Sequence, residues 1–367
     1  MSRIEKYLTK FILCRPTLYN REEIEKLLRK IDKIIKVGEA IKAINLTKAF
    51  GKFVAVDHIN FEVKEGEIFG FLGPNGAGKS TTIKMLTTVL KPTEGTAIVN
   101  GYDIIKEPAK VRNSIGVVPQ EFTADEDLTG WENMMLMAGL YGIKKNVAKE
   151  RAKELLDMVE LTQAMNRKVQ TYSGGMRRRL EIAMSLISRP KILFLDEPTM
   201  GLDAQTRSAI WNYIMKLKKE YGMTIFVTTH YLEEADLYAD RIAIIDHGKI
   251  LAIGSPKELK ESIGGDVITL STSNDDEAIK LLQNLDGIID IKKVDNILRI
   301  KVKDGEEMAP QILERLIKSG VKVLKMSITE PTMDEVYMEY TGRKMRDEEA
   351  DSKEVFAMRR TLRRARG

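Results

Sequence analysis

Residues 67–86 read EIFGFLGPNGAGKSTTIKML, a short apolar run, a glycine-rich turn and the opening of a helical pattern. Gly73 is followed after four residues by Gly78-Lys79-Ser80, the spacing of a phosphate-binding loop in the strand–turn–helix context such a loop requires. The stretch Gly73, Pro74, Asn75, Gly76, Ala77, Gly78, Lys79, Ser80 and Thr81 is therefore the first candidate binding element. Its glycines let backbone N–H groups curl around phosphate oxygens with no Cβ in the way. Lys79 supplies positive charge to the β- and γ-phosphates, and Ser80 offers a hydroxyl to Mg²⁺.

A strand feeding a phosphate loop predicts an α/β fold, and the rest of the chain carries that pattern. The runs SIGVVP, KILFLDEP, MTIFVTTH and RIAIIDHG alternate with helical stretches at 146–160 and 204–220. Such alternation predicts a largely parallel, buried sheet. Ligands bind such sheets just beyond the carboxyl ends of the strands. Gln120, Asp196, Glu197 and His230 all fall there. Asp196 is the expected metal-holding carboxylate, and Glu197 the general base for the attacking water. Gln120 is placed to report on the metal and that water, and His230 to hydrogen-bond the γ-phosphate. Taken singly, Gln or His in such a position is more often structural.

About seventy residues separate SIGVVP from KILFL, more than a crossover needs, and the insert reads as helical from about Glu121 to Arg189. Beyond Gly264 the pattern becomes β-α-β-β-α-β with a tight turn at Asp295-Asn296, followed by a last helix at PTMDEVYMEY, which suggests a small ferredoxin-like α+β domain over 265–341. Near the N-terminus, Ile24, Leu27, Leu28, Ile31, Ile34 and Ile35 share one helical face, with Asn20 and Glu23 as a capping box. The expected organisation is a helical extension (1–38), a nucleotide-binding domain (39–264), the C-terminal domain (265–341) and a basic tail (342–367).

Composition narrows the classes. The 367 residues are 43% hydrophobic, 31% charged and 6% aromatic, a globular composition with few rings for base stacking. The single Cys14 excludes an internal disulfide framework. No apolar run approaches the roughly 18 residues of a membrane span, and MSRIEKYLTK has charges where a signal peptide is apolar. Work at a membrane would then need another chain to span it. Residues 1–36 hold 10 Lys/Arg against 5 Asp/Glu and residues 343–367 hold 9 against 5, leaving 40 against 44 between them. The basic ends attract anionic lipid, nucleic acid or an acidic protein surface alike.

One stretch remains. Residues 171–183, TYSGGMRRRLEIA, look like a second anion site at a helix N-terminus. Within it, Met176, Leu180, Ala183 and Ile187 form the expected buried stripe, while Arg177, Arg178 and Arg179 are expected to face solvent, acidic neighbours or phosphate.

GPNGAGKST, Gln120, YSGGM, ILFLDE, the GLD at 201–203 and His230 together resemble the ATP-binding subunits of ABC transporters, over about residues 41–257. YSGGMRRRLEIA, EDLTGWENMMLMAGLYG and SITEPTMDEVYMEYTGR are most similar to the daunorubicin/doxorubicin-resistance type of drug-export ATPase. The resemblance implies a phosphate-loop ATPase of ABC type using ATP and Mg²⁺, with Phe50 stacking on adenine. It also implies a head-to-tail homodimer in which Ser173, Gly174 and Gly175 reach the γ-phosphate of the ATP held by the other copy's Lys79. Asp203 would lie across the same interface. Tyr172 and Met176 depart from the commonest signature, LSGGQ, whereas the serine and both glycines are kept. The implied partner is a separate membrane permease, contacted by EFTADEDLTGWENMM, with the chain peripheral on the cytoplasmic face and no nucleic acid expected. The competing reading is a soluble ABC ATPase acting on ribosomes or DNA through its basic ends. The chain shows neither the duplicated ATPase domain nor the long coiled coil of such proteins.

Overall fold

All five residues of IFGFL are buried in β3 (Ile68–Leu72), in the interior of a six-stranded sheet. The computed structural model describes residues 38–283, 285–294 and 297–342. The expected helix within 1–37, the Asp295-Asn296 turn and the tail beyond Gly342 lie outside the described residues. Across the sheet the order is β10 (Lys249–Gly254), β9 (Arg241–Asp246), β3, β8 (Thr224–Thr229), β7 (Ile192–Asp196) and β6 (Ile115–Val118). From β9 to β6 every pair is parallel, and β10 closes one edge antiparallel. The register sets Leu72 beside Thr229, Asp196 beside Thr228 and Val118 beside Leu195. All the strand ends flagged in the sequence therefore emerge along one rim.

Both faces of this sheet are covered, which is why its strands are apolar without alternation. Ile68, Leu72, Leu193, Leu195, Ile225 and Val227 pack against Ile210, Trp211 and Ile214 of α6 (Ala204–Tyr221) and Leu232 and Ala235 of α7 (Leu232–Tyr238). Phe69, Phe71, Phe194 and Phe226 point the other way, into an aromatic cluster joined by Phe61, whose ring lies 5.7 Å from that of Phe69. Phe61 belongs to a second sheet that the strand pattern did not announce. Its order is β2 (Phe53–Lys64), β1 (Glu39–Phe50), β4 (Glu94–Val99) and β5 (Tyr102–Asp103). A bulge between Ile44 and Thr47, with Asn45 at a φ of 48°, breaks the period-2 alternation of β1 and hides it from a pattern reading.

Helix α1 (Lys79–Leu86) leaves β3 through the phosphate loop, and α2 (Pro108–Ser114) precedes β6. The insert contains α3 (Gly130–Leu140), α4 (Lys145–Met158) and α5 (Gly174–Leu186), with their own core of Met134, Leu156, Leu161, Leu180, Ala183 and Ile187. It is not helical throughout as expected. Residues 121–129 form a non-helical connector that ends where the capping box of Thr129 and Glu132 starts α3.

The C-terminal sheet has the order β12 (Ile288–Val294), β13 (Ile297–Val302), β11 (Asp266–Thr272), β14 (Val323–Thr329), antiparallel throughout. With α9 (Asp275–Leu282) and α10 (Gly305–Lys318) packed on it, this is the ferredoxin-like arrangement. The final helix, α11 (Met333–Thr341), adds no residue to the core of this sheet. Its Met333, Val336 and Tyr337 pack with Trp211, Leu232, Ala235 and Leu259, the last from α8 (Pro256–Ser262), in the core beneath the six-stranded sheet. The Tyr340 hydroxyl lies 2.9 Å from Ser262 Oγ. Tyr337 is fully buried, so Tyr337→Ala should cost about 3–5 kcal/mol, the range for deleting a buried aromatic ring, read as a lowered midpoint in urea unfolding.

Candidate functional site: a phosphate-loop cavity and a separate signature turn

The phosphate loop is shaped from behind. Gly78 takes a φ of 107°, and a Cβ there would sit 2.6 Å from the Ala55 carbonyl oxygen, so only glycine lets the loop approach β2 this closely. Lys79 then folds back: its Nζ donates to the carbonyls of Gly73 at 2.6 Å and Pro74 at 3.0 Å, and lies 3.0 Å from Glu197 Oε1. Both Lys79 and Glu197 are only 4% exposed.

At the end of β7, Asp196 accepts from Ser80 Oγ at 3.1 Å and from Thr228 Oγ1 at 2.6 Å. Thr228 was missed in the sequence; it lies inside an apolar-looking strand, and only the β7–β8 register brings it to the carboxylate. One residue on, Glu197 adopts a φ of 49°, a costly conformation for a non-glycine residue. Its N–H is held by Thr228 Oγ1 at 3.0 Å and by the Thr228 carbonyl at 3.2 Å. That fixes its side chain between Lys79 and His230, whose Nδ1 lies 3.1 Å from Glu197 Oε2.

Burial pushes the Glu197 carboxyl up, but the His230 hydrogen bond and the Lys79 charge outweigh it and hold the group at about 2. The folded value lies below the ordinary 4.5, so the ionised group stabilises the fold above about pH 4.5, and that contribution is lost as pH falls toward 2. Acid unfolding followed by circular dichroism should therefore begin at lower pH in the parent than in Lys79→Met, where the charge beside Glu197 is gone.

Phe50, Pro74, Asn75, Gly76, Gly78, Lys79, Ser80, Thr81, Gln120 and Glu197 line a single open cavity of about 300 Å³. Gly73 and Ala77 do not; they stand behind the loop, where a Cβ on Gly73 would lie 2.3 Å from the Ile245 carbonyl oxygen. Phe50 is half exposed, with Lys48 Nζ 5.2 Å over its ring. Phe53 and Ala55 join the lining. Phe53 also escaped the sequence reading, although an aromatic on each side of the Gly51-Lys52 turn was a usable signal. Gln120 closes the wall, its Nε2 donating to Met200 Sδ at 3.2 Å.

The signature residues stand elsewhere. Ser173 caps α5, its Oγ accepting from the Met176 N–H at 3.3 Å. A Cβ on Gly174 would lie 3.4 Å from Leu202, and one on Gly175 only 2.4 Å from Thr206 Cγ2. Asp203 caps α6 by accepting from the Thr206 N–H at 2.9 Å and its hydroxyl at 2.7 Å, bonds that hold the carboxyl below its usual range. Ser173, Gly174 and Asp203 are exposed, with Gly175 buried beneath them against Thr206, and none of the four lines the cavity.

Arg178 meets an acidic neighbour, one of the partners expected for the three arginines, but does so in the interior: it is 2% exposed and ion-paired with Glu181 at 3.0 Å. Arg177 pairs with Glu126, and Arg179 lies 3.5 Å from Glu160. The three arginines are thus committed to acidic neighbours within the chain.

The cavity suits a nucleotide by its backbone-lined loop and buried lysine. A hydroxyl and a carboxylate 3.1 Å apart are hard oxygen donors of the kind Mg²⁺ prefers. Among the described residues no three or more His, Cys, Asp or Glu side chains cluster as a metal cage. A cation here would draw its other ligands from phosphate and water, as Mg²⁺ commonly does.

A phosphate loop on a parallel sheet, faced by a carboxylate pair and a rim histidine, defines a nucleoside-triphosphatase. Comparison with known proteins narrows the class. The ABC transporter family model matches residues 56–200, and the model for the C-terminal domain of DrrA1-3-like ATP-binding proteins matches 254–341. The chain is 42% identical over 324 residues to the daunorubicin/doxorubicin resistance ATP-binding protein DrrA of Streptomyces peucetius, covering 87% of this chain and 98% of that one. It is 36% identical over 313 residues to the Nod factor export ATP-binding protein I of Sinorhizobium fredii, covering 85% and 89%. A dimeric structure of the ATP-binding cassette MJ0796 in a post-hydrolysis state with ADP and Pi matches with a TM-score of 0.54 at 32% identity, covering 59% of this chain and 98% of that one. The chain belongs to the ATP-binding proteins of ABC transporters, ATP hydrolases, in the daunorubicin/doxorubicin-resistance branch whose C-terminal domain it carries.

Proposed function

We propose that the chain is the ATP-hydrolysing subunit of an exporter, working as a homodimer on the cytoplasmic face of the membrane and driving a separate permease that carries a drug-like or other small molecule. The observation that carries this reading is the division of the site. Lys79, Ser80, Gln120 and Glu197 line the cavity, while Ser173, Gly174, Gly175 and Asp203 lie outside its lining. Two copies arranged head to tail would bring each signature turn over the other's cavity.

In this reading Phe50 and Phe53 flank the adenine, and the loop from Gly73 to Thr81 wraps the phosphates. Ser80 and Asp196, with Gln120 alongside, would hold Mg²⁺, which would supply positive charge to the phosphate oxygens. Glu197 accepts the proton of the attacking water, and His230 keeps that carboxylate oriented. Phosphates engaging Lys79 compete with its 3.0 Å contact to Glu197.

Export rests on the relatives, one of which is named for Nod factor export and another for drug resistance. Among the described residues no helix is long and apolar enough to cross a membrane, so the membrane path would belong to the partner. The test is affinity purification from detergent-solubilised native membranes. A multi-span membrane protein retained through moderate-salt washes supports the reading, and ribosomes or DNA retained in its place would overturn it.

A further inference from the structure

Helix α5 carries a buried ion pair one turn beyond the signature glycines, and its remaining hydrogen bonds reach the stretch that carries Gln120. Arg178 donates to the Pro119 carbonyl at 2.7 Å and the Gln120 carbonyl at 2.9 Å, and its guanidinium lies 4.9 Å over the ring of Phe122. Glu181 accepts from the Thr123 N–H and, at 3.2 Å, from the Thr123 hydroxyl. Arg178 and Glu181 meet at 3.0 Å, and each is 2% exposed at the side chain.

A buried pair of this kind is weak evidence for stability, because desolvation cancels much of its attraction. What it supplies is geometry. The planar fork of arginine fixes two consecutive carbonyls at once, which an ammonium on a flexible stem cannot reproduce. The pair lies where the insert meets the sheet: residues 119–123 begin at the end of β6, on the rim of the nucleotide cavity, while α5 joins the insert's core through Leu180, Ala183 and Ile187 and the sheet's core through Ile182 and Leu186.

We infer that Arg178 and Glu181 are positioning residues that fasten the connector at 119–123 to helix α5, so that Gln120 in the cavity and Ser173 on the signature turn shift together. The inference rests on the proposed roles of Gln120 and Ser173. A nucleotide engaging Gln120 in one copy would then adjust the signature turn that the same copy offers to its partner.

The test is amide hydrogen exchange by mass spectrometry on the full chain carrying Ser173→Arg, which keeps it monomeric, with and without Mg-ATP. Mg-ATP should slow exchange in 119–124 and also in 174–187, although the second segment touches no nucleotide in the monomer. Adding Arg178→Met with Glu181→Leu removes both charges and leaves neither buried alone; it should abolish the response of 174–187 and keep that of 119–124. Arg178→Lys, which keeps the charge and loses the fork, should show the same loss and serves if the double variant does not fold. A response of 174–187 that survives both variants, or that is missing from the Ser173→Arg chain while 119–124 responds, overturns the inference. Failure of the Ser173→Arg chain to bind ATP would count against the proposed site itself, and so is distinguishable.

Discussion

Glu197→Gln should bind Mg-ATP at least as well as the parent, form a stable ATP-dependent dimer and hydrolyse at least about 10²-fold more slowly, the lower range for removing a general base. The substitution keeps the side-chain volume and the backbone bonds to Thr228, so the φ of 49° and the position between Lys79 and His230 persist. What is lost is the proton acceptor. Gln also places no charge beside Lys79, which frees that ammonium for phosphate. Steady-state phosphate release and sedimentation velocity measured on one preparation separate the two effects. Hydrolysis at the parental rate would remove Glu197 from the role of base.

The second large effect is expected at a residue outside the cavity. Ser173→Arg should leave nucleotide binding by the monomer within about twofold and abolish the ATP-dependent dimer. The replaced hydroxyl caps α5, a contribution of about 1 kcal/mol, which does not threaten the fold. The arginine would project from an exposed position beside Gly174, where the partner's triphosphate is proposed to arrive. Fluorescent-nucleotide titration reads the binding and sedimentation reads the dimer. Loss of monomer binding would place Ser173 in the cis site and undo the trans arrangement.

The features legible in the sequence were those fixed by local covalent pattern. The phosphate loop announces itself because glycine spacing, Lys79 and Ser80 are contiguous, and the buried strands because both faces of the sheet are covered. What escaped depends on contacts between distant segments. Thr228 meets Asp196 only through the β7–β8 register. β1 was hidden by the bulge that interrupts its alternation. An acidic neighbour was among the partners expected for Arg178, but its burial was not legible, because it depends on two carbonyls almost sixty residues away. Where α11 packs was not legible either, because its apolar face is matched by a surface built from α6, α7 and α8.

The central claim, that each ATP is enclosed by groups from two copies, is tested most directly by mixing two defective chains, both carrying Glu197→Gln. One bears Lys79→Met and keeps its signature turn, and the other bears Ser173→Arg and keeps its phosphate loop. Neither should dimerise alone with Mg-ATP. Mixed, they can assemble one complete site from the Lys79 of one chain and the Ser173 of the other, and a differentially tagged heterodimer should appear by sedimentation and affinity capture only when ATP is added. A mixture that stays monomeric at saturating ATP, with both chains folded, would contradict the account.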